Sequence, residues 1–196
     1  MNKGYVAALL GMMTSFVRAQ SPTEPGLDYN EVSVGYTSMD VTTSGVKRTL
    51  TGYGVTGTYL LSPNFFLQGG HGSTHKTLTN NTKFTVAQSQ VGLGVRLPIL
   101  AHTDGIALIS YAATDTTLLT KTTDSTYSVF AGVRSGLHAD VDAGLNLVYA
   151  KTDKQSAKNG FLVNVKYKFT RNLFVKADYY TVPDLNRYTV GLGYRF

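Results

Sequence analysis

The side chains best suited to chemistry stand close together: His71, Ser73 and His75, each separated from the next by one residue. Alternation along a strand puts all three on one face. A His beside a Ser on such a face can take the hydroxyl proton, the first step of nucleophilic hydrolysis. The expected strand arrangement places no carboxylate at matching height on neighbouring strands to orient the imidazole. Metal binding fits poorly, because two His four residues apart on a strand lie ~13 Å apart and cannot share one ion. Gly52-Tyr53-Gly54-Val55-Thr56-Gly57 spells the GxGxxG pattern of dinucleotide sites. That pattern works where a strand hands over to a helix N-terminus, whereas here it runs through an alternating segment to Pro63. No metal and no cofactor are expected.

The elements that must position these residues are strands. Period-2 alternation predicts strands at 28–40, 49–61, 65–77, 84–97, 106–116, 127–137, 141–151, 160–169, 173–181 and 187–196. Short turns at Ser62–Asn64, His138–Asp140 and Thr170–Asn172, with a bend at Pro98–Gly105, alternate with longer polar loops at Val41–Arg48, Leu78–Lys83, Thr117–Thr126 and Thr152–Asn159. Val182–Asn186 is a shorter member of the second set. One face of most strands is Val, Leu, Tyr and Phe, as in Phe161, Val163, Val165, Tyr167 and Phe169. The segment around Ile106 is ambiguous, being apolar on both faces.

The two termini say where such strands reside. Met1-Asn2-Lys3, an uncharged apolar run from Gly4 to Phe16 and small residues at Val17 and Ala19 read as a signal peptide at 1–19, cleaved after Ala19. That run is too short for a membrane helix of ~20 residues. Its removal deletes Lys3 and Arg18 and no acid, so the formal charge falls from +6 to +4. Residues 20–196 make one domain. The absence of Cys excludes a disulfide scaffold and a thiolate metal site. The chain then ends on Thr189-Val190-Gly191-Leu192-Gly193-Tyr194-Arg195-Phe196, with apolar residues on one face up to the last position. A strand with lipid on one side and a polar lumen on the other needs that pattern.

The chain resembles the small outer-membrane β-barrels of Gram-negative bacteria, of the opacity/porin-like, OmpA-like superfamily. Gly35-Tyr36, Pro63-Asn64-Phe65 and the closing Gly191 to Phe196 carry the likeness, which spans the whole length. Thr189, Gly191, Tyr194 and Phe196 fill the slots of the C-terminal assembly signal of such proteins. The resemblance implies a closed antiparallel up-and-down transmembrane barrel in the cell outer membrane, with about ten strands and eight as the alternative. It also implies periplasmic termini and biogenesis through chaperones and the barrel-assembly machinery. His71 and Ser73 have the spacing used by outer-membrane lipid A deacylases, which keeps a lipid A-modifying hydrolase as a minor alternative. A structural role for His71, in place of an interfacial aromatic, competes with it. A soluble barrel would show the opposite face to water.

The inward charges form the best-defined polar feature: Glu31, Arg96, Arg134, Asp142, Lys166, Lys168, Lys176, Asp178, Arg187 and Arg195. Charges in a narrow lumen must be paired or wet. The expected function is therefore a non-catalytic envelope or surface protein with a filled or narrow lumen. The alternative is a small-solute porin with mild anion preference. Glu31 and Arg195 are expected to meet across the closing seam, and Lys166, Asp178 and Lys176 to form one cluster. Basic outer loops (Lys47, Arg48, Lys83, Lys121, Lys154, Lys158) suit lipopolysaccharide phosphates. Nucleic acid is not an expected partner despite a pI of 9.4, since no basic run carries stacking aromatics. Deleting Phe196, or Phe196→Ala, should lower the folded, heat-modifiable fraction in the membrane while export continues. A normal folded band would make the terminal aromatic incidental.

Overall fold

The computed structural model describes residues 27–43, 45–78, 81–153 and 155–196. The expected signal peptide at 1–19 and Lys154 lie outside the described residues. All helix and strand assignments in the described range are strand: β1 Glu31–Thr43, β2 Val46–Ser62, β3 Phe65–Thr77, β4 Lys83–Leu100, β5 Thr103–Thr117, β6 Lys121–His138, β7 Val141–Thr152, β8 Lys158–Lys168, β9 Leu173–Val182 and β10 Leu185–Arg195. Each strand pairs antiparallel with its sequence neighbours, and β1 pairs with β10 to close the barrel. Ten strands stand where ten were expected, and the alternative of eight does not hold.

The register fixes how the strands tilt. From Glu31 it runs through Thr58, Gln68, Gly92, Ser110, Ser128 and Ala150 to Lys158. Extending the β8–β9 and β9–β10 offsets brings the path back to β1 at Thr43, displaced by 12 residues. A displacement of that size over ten strands corresponds to a tilt of about 40°.

Two expectations about connections are corrected. Loop length distinguishes the ends less than expected: strands at the far end are separated by two to five residues and those at the other end by two to four. At the far end β1 and β2 are separated by two residues, as are β9 and β10, with left-handed backbone at Gly45 (φ 75) and Asp184 (φ 69). The end bearing the termini has turns of similar size at 63–64, 101–102 and 139–140. The asymmetry lies in the strands, since β2 to β6 continue further outward than β7 to β10. The Pro98–Gly105 bend is the second correction. β4 continues to Leu100, with a register shift between Pro98 and Leu100. A bulge at a strand end tolerates a residue without an N–H.

Burial decides which face is which. Lys166, Lys176, Asp178, Asp142 and Arg134 are buried inside the barrel, while Val34, Tyr53, Leu93, Leu147, Val190 and Leu192 are exposed outside. The inward and outward assignment therefore stands, and the soluble barrel is excluded. Around Ile106 the ambiguity resolves with Ile106 and Leu108 inward and Ile109 outward.

This alternation reverses towards the far end. There Met39, Val41, Leu50, Phe84, Val86, Val182 and Leu185 point inward and are buried together. The outer surface at that level carries Lys47, His75, Lys83, Thr117 and Lys121. The barrel thus has a lipid-solvated zone with a polar interior and, beyond it, a water-solvated zone with an apolar interior.

Tight fit inside depends on glycine facing aromatic. Phe66 lies opposite Gly94 on β4, and Phe174 opposite Gly193 on β10. A Cβ on either glycine would fall within the facing ring. Phe66 cannot swing away freely, because Tyr29 packs on it with ring centroids 5.1 Å apart. Gly94→Leu should lower the stability of the folded barrel by about 1–3 kcal/mol, the usual cost of overpacking. Urea unfolding in detergent, followed by gel mobility, measures it, and an unchanged midpoint would show that the ring has room.

Candidate functional site

The densest polar site is a layer of charges across the lumen near the termini, and the strand parity described above delivers it. Arg134 Nη2 meets Asp142 Oδ2 at 2.5 Å, and Lys168 Nζ lies 2.8 Å from Asp142 Oδ1. Arg96 Nη1 lies 3.4 Å from Asp104 Oδ2, and Lys166 donates to Glu31. Arg134 and Asp142 are each about 2% exposed. Their mutual neutralisation offsets the cost of removing both ions from water.

Through this layer passes the segment 27–30. It was expected to begin the first strand at 28, but it turns into the barrel mouth instead. Tyr29 is fully buried, packed at a tilt against Phe66 and flanked by the guanidiniums of Arg96 and Arg134 at 5.5 and 5.8 Å from its ring centroid. Asp28 pairs with Arg195, and its carbonyl accepts from Arg134 at 3.4 Å. Asn30 Oδ1 accepts from the Leu60 amide at 2.9 Å, and Phe196 N–H donates to the Asn30 carbonyl at 3.1 Å. These bonds tie the segment to the wall.

Two expected contacts take other partners. Glu31 and Arg195 are register partners across the seam, but Asp28 captures Arg195 and Lys166 captures Glu31. Lys166 does stand opposite Lys176, and the charges of both act on Asp178. Lys176 lies 3.6 Å from Asp178 and donates to Thr56 at 3.2 Å. Lys166 turns instead to Glu31 and sits 4.5 Å from the Phe174 ring centroid. Higher up, Arg187 lies over the Tyr180 ring at 4.8 Å. Sequence reasoning missed Asp28, Tyr29 and Asp104. Tyr29 shares the parity of Glu31, and Asp104 that of Ile106, so the signal was present.

Above the charged layer the lumen stays filled. Ser33 and Thr56 hydroxyls bond at 2.8 Å, and those of Thr37 and Thr189 at 3.0 Å. A cavity of ≈ 20 Å³ bordered by Thr37, Met39, Thr74, Val86, Gln88 and Arg187 has room for one or two waters. Of the assembly-signal residues, Thr189 and Gly191 face inward, while Tyr194 and Phe196 face outward.

On the outer surface, one aromatic from each of eight strands falls on a common ring: Tyr36, Tyr53, Tyr111, Tyr127, Tyr149, Phe161, Tyr179 and Tyr188. Neighbours touch, with centroids 5.4 Å apart for Tyr36 and Tyr53 and 4.7 Å for Tyr179 and Tyr188. β3 and β4 supply His71 and Ser89 to this ring instead. His71 Nδ1 and Ser89 Oγ are hydrogen-bonded at 2.8 Å. The imidazole's hydroxyl partner is therefore Ser89 across the strands, with Ser73 further along its own strand. The outward positions of β2 and β4 flanking His71 hold no acid. The strand amides around the pair belong to the ladder, leaving no free donors for an oxyanion. The pair can give and take hydrogen bonds at an interface. Among the described residues, no group of three potential ligands suits a metal.

The outer rim carries the ion pairs Lys47–Asp40 at 2.9 Å, Lys121–Asp115 at 2.8 Å and Lys158–Asp184 at 3.0 Å, and Lys151 donates to the Gln155 carbonyl at 2.7 Å. Arg48, Lys76 and Lys83, on β2 to β4, have no ion-pair partner among the described residues.

Comparison with known proteins agrees with this architecture. No protein of curated function matches the chain in sequence. Similar solved structures include the attachment invasion locus protein Ail of Yersinia pestis, with 14% identity, coverage of 86% of this chain and 99% of that one, and a TM-score of 0.43. The KdgM porin shows 16% identity, 84% and 99% coverage and a TM-score of 0.46. The translocator domain of the autotransporter NalP from Neisseria meningitidis shows 12% identity, 85% and 88% coverage and a TM-score of 0.49. The family model described as "Outer membrane protein beta-barrel domain" matches residues 5–196. The chain therefore belongs to the outer-membrane β-barrel domain family and is a protein of the outer membrane.

Proposed function

We propose that this protein is a sealed, non-catalytic envelope barrel whose working surface is its outer rim and outer wall. The observation that carries the reading is the double closure of the lumen. Residues 27–30 and five ion pairs occupy one end, and the apolar cluster of Met39, Val41, Leu50, Val86 and Leu185 occupies the other. A solute path needs a continuous wet channel. Here the polar layer is paired, and the apolar layer above it offers an ion nothing to bind. The small-solute porin is the competing reading, and the excess of buried cations is what favours it.

The His71–Ser89 pair does not favour hydrolysis, because among the described residues it has neither an orienting carboxylate nor an oxyanion site. With both termini at the periplasmic end, the tips of β2 to β6 stand on the outer side. There the rim cations suit contact with lipopolysaccharide phosphates. The exposed Tyr194 and Phe196 suit recognition by the barrel-assembly machinery after passage with periplasmic chaperones.

Planar bilayers holding the refolded protein should show no steady conductance above background, and lipid A from expressing cells should keep its full acyl mass. An ohmic, anion-selective conductance would turn the conclusion to a porin. Loss of one acyl chain would restore the hydrolase.

A further inference from the structure

We propose that the outer wall of β3 and β4 is a binding site for one phosphorylated glycolipid of the outer leaflet, of the lipid A type. The inference rests on the reading that the outer rim contacts lipopolysaccharide, and it says where. The aromatic ring at the outer interface is continuous over eight strands and broken over two adjacent ones. In the gap stand His71 and Ser89, hydrogen-bonded to each other. Two strands at ~4.8 Å spacing make a strip ~10 Å wide. Just below His71 and Ser89 the outward residues of this strip are Gly69 and Leu67 on β3 and Val91 and Leu93 on β4, so no Tyr or Phe interrupts the wall until Phe65 at the start of β3.

Directly above the gap, the outward residues are Ser73, His75 and Thr77 on β3 and Ala87, Thr85 and Lys83 on β4. They offer hydroxyl and imidazole hydrogen bonds, then an ammonium. That order matches a glycolipid whose acyl chains lie below and whose sugar and phosphate lie above. Charge complementarity selects the phosphate. Lys47, Lys121 and Lys158 are held by Asp40, Asp115 and Asp184. Lys83 on this strip, with Lys76 and Arg48 on the adjoining rim, lacks an acid among the described residues. Charge-assisted bonds to phosphate are about twice as strong as neutral ones, so these cations supply affinity while the girdle gap supplies shape.

The test is native mass spectrometry of the full folded protein in detergent, titrated with bis-phosphorylated lipid A and with its dephosphorylated form. The variants are Lys83→Ala, His71→Tyr with Ser89→Tyr, and the paired-cation control Lys121→Ala, each first shown to be heat-modifiable. Wild type should take up one lipid A at low ratio. Lys83→Ala should bind about tenfold more weakly, and the double Tyr variant, which completes the ring, should lose the discrete adduct. Lys121→Ala should bind as wild type does, and the dephosphorylated lipid about tenfold more weakly. Binding by wild type that all variants share equally would overturn the site while leaving a diffuse lipopolysaccharide contact intact. No binding by folded wild type would overturn both. A dimer of wild type that only the double Tyr variant abolishes, with lipid uptake unchanged, would make this face an interface between copies and overturn the lipid site.

Discussion

Hydrocarbon offers no partner to a backbone N–H or C=O, and the rest of this structure follows from that fact. A sheet in lipid cannot keep an edge, since each unsatisfied group costs several kcal/mol. The pairing of β1 with β10 is therefore the contact on which the others depend. Closure with ten strands and a 12-residue displacement sets the tilt and radius, and so leaves an interior of fixed width. Whatever points inward must fill that width at close packing. Gly94 and Gly193 give way where Phe66 and Phe174 enter, and Tyr29 fills the middle of the charged layer.

The solvent changes along the barrel axis, and the side chains change with it. Between the aromatic ring and the end that holds segment 27–30, lipid requires an apolar exterior, so the polar residues have only the lumen. There they pair, as Arg134 does with Asp142 and Lys166 with Glu31. Beyond the ring, water touches the outside and the same strands bury Val41, Leu50 and Val86 within. The strands cross the boundary without a break, because parity shifts within them. On β4 the apolar residues sit at Phe84 and Val86 on the inward side and at Val91, Leu93 and Val95 on the outward side. The apolar cluster packed inside the outer extension also fills the lumen there.

Much of this was legible in the sequence. The strand number, the outward faces, the seam register of Glu31 with Arg195 and the inward charges all follow from period-2 alternation between turn residues. Alternation also fixes the outward face of His71, which stands at the level of the aromatic ring. The choice of partners was not legible. Lys166 takes Glu31 as an ion-pair partner across a lumen whose width no local pattern encodes. Segment 27–30 carries strand-like parity yet bends inward, since its role depends on Arg96 and Arg134, far off in sequence. Asp104 was hidden by Pro98, which suggested a loop where a bulge sufficed. The reversal at the outer ring was present in the shifted parity of β4, but was masked by the single rule of apolar outside.

The central claim is that the middle of the lumen is packed and closed to solutes from both sides. The chain has no Cys, so one introduced thiol reports its own surroundings. Thr56 faces the mid-lumen at 2% exposure, while Leu119 at the far tip is 86% exposed. Thr56→Cys, reconstituted in vesicles, should resist a charged, membrane-impermeant maleimide applied to either side and react only after unfolding, while Leu119→Cys reacts at once. Modification of folded Thr56→Cys at a rate close to that of Leu119→Cys would contradict the sealed barrel and establish an open path.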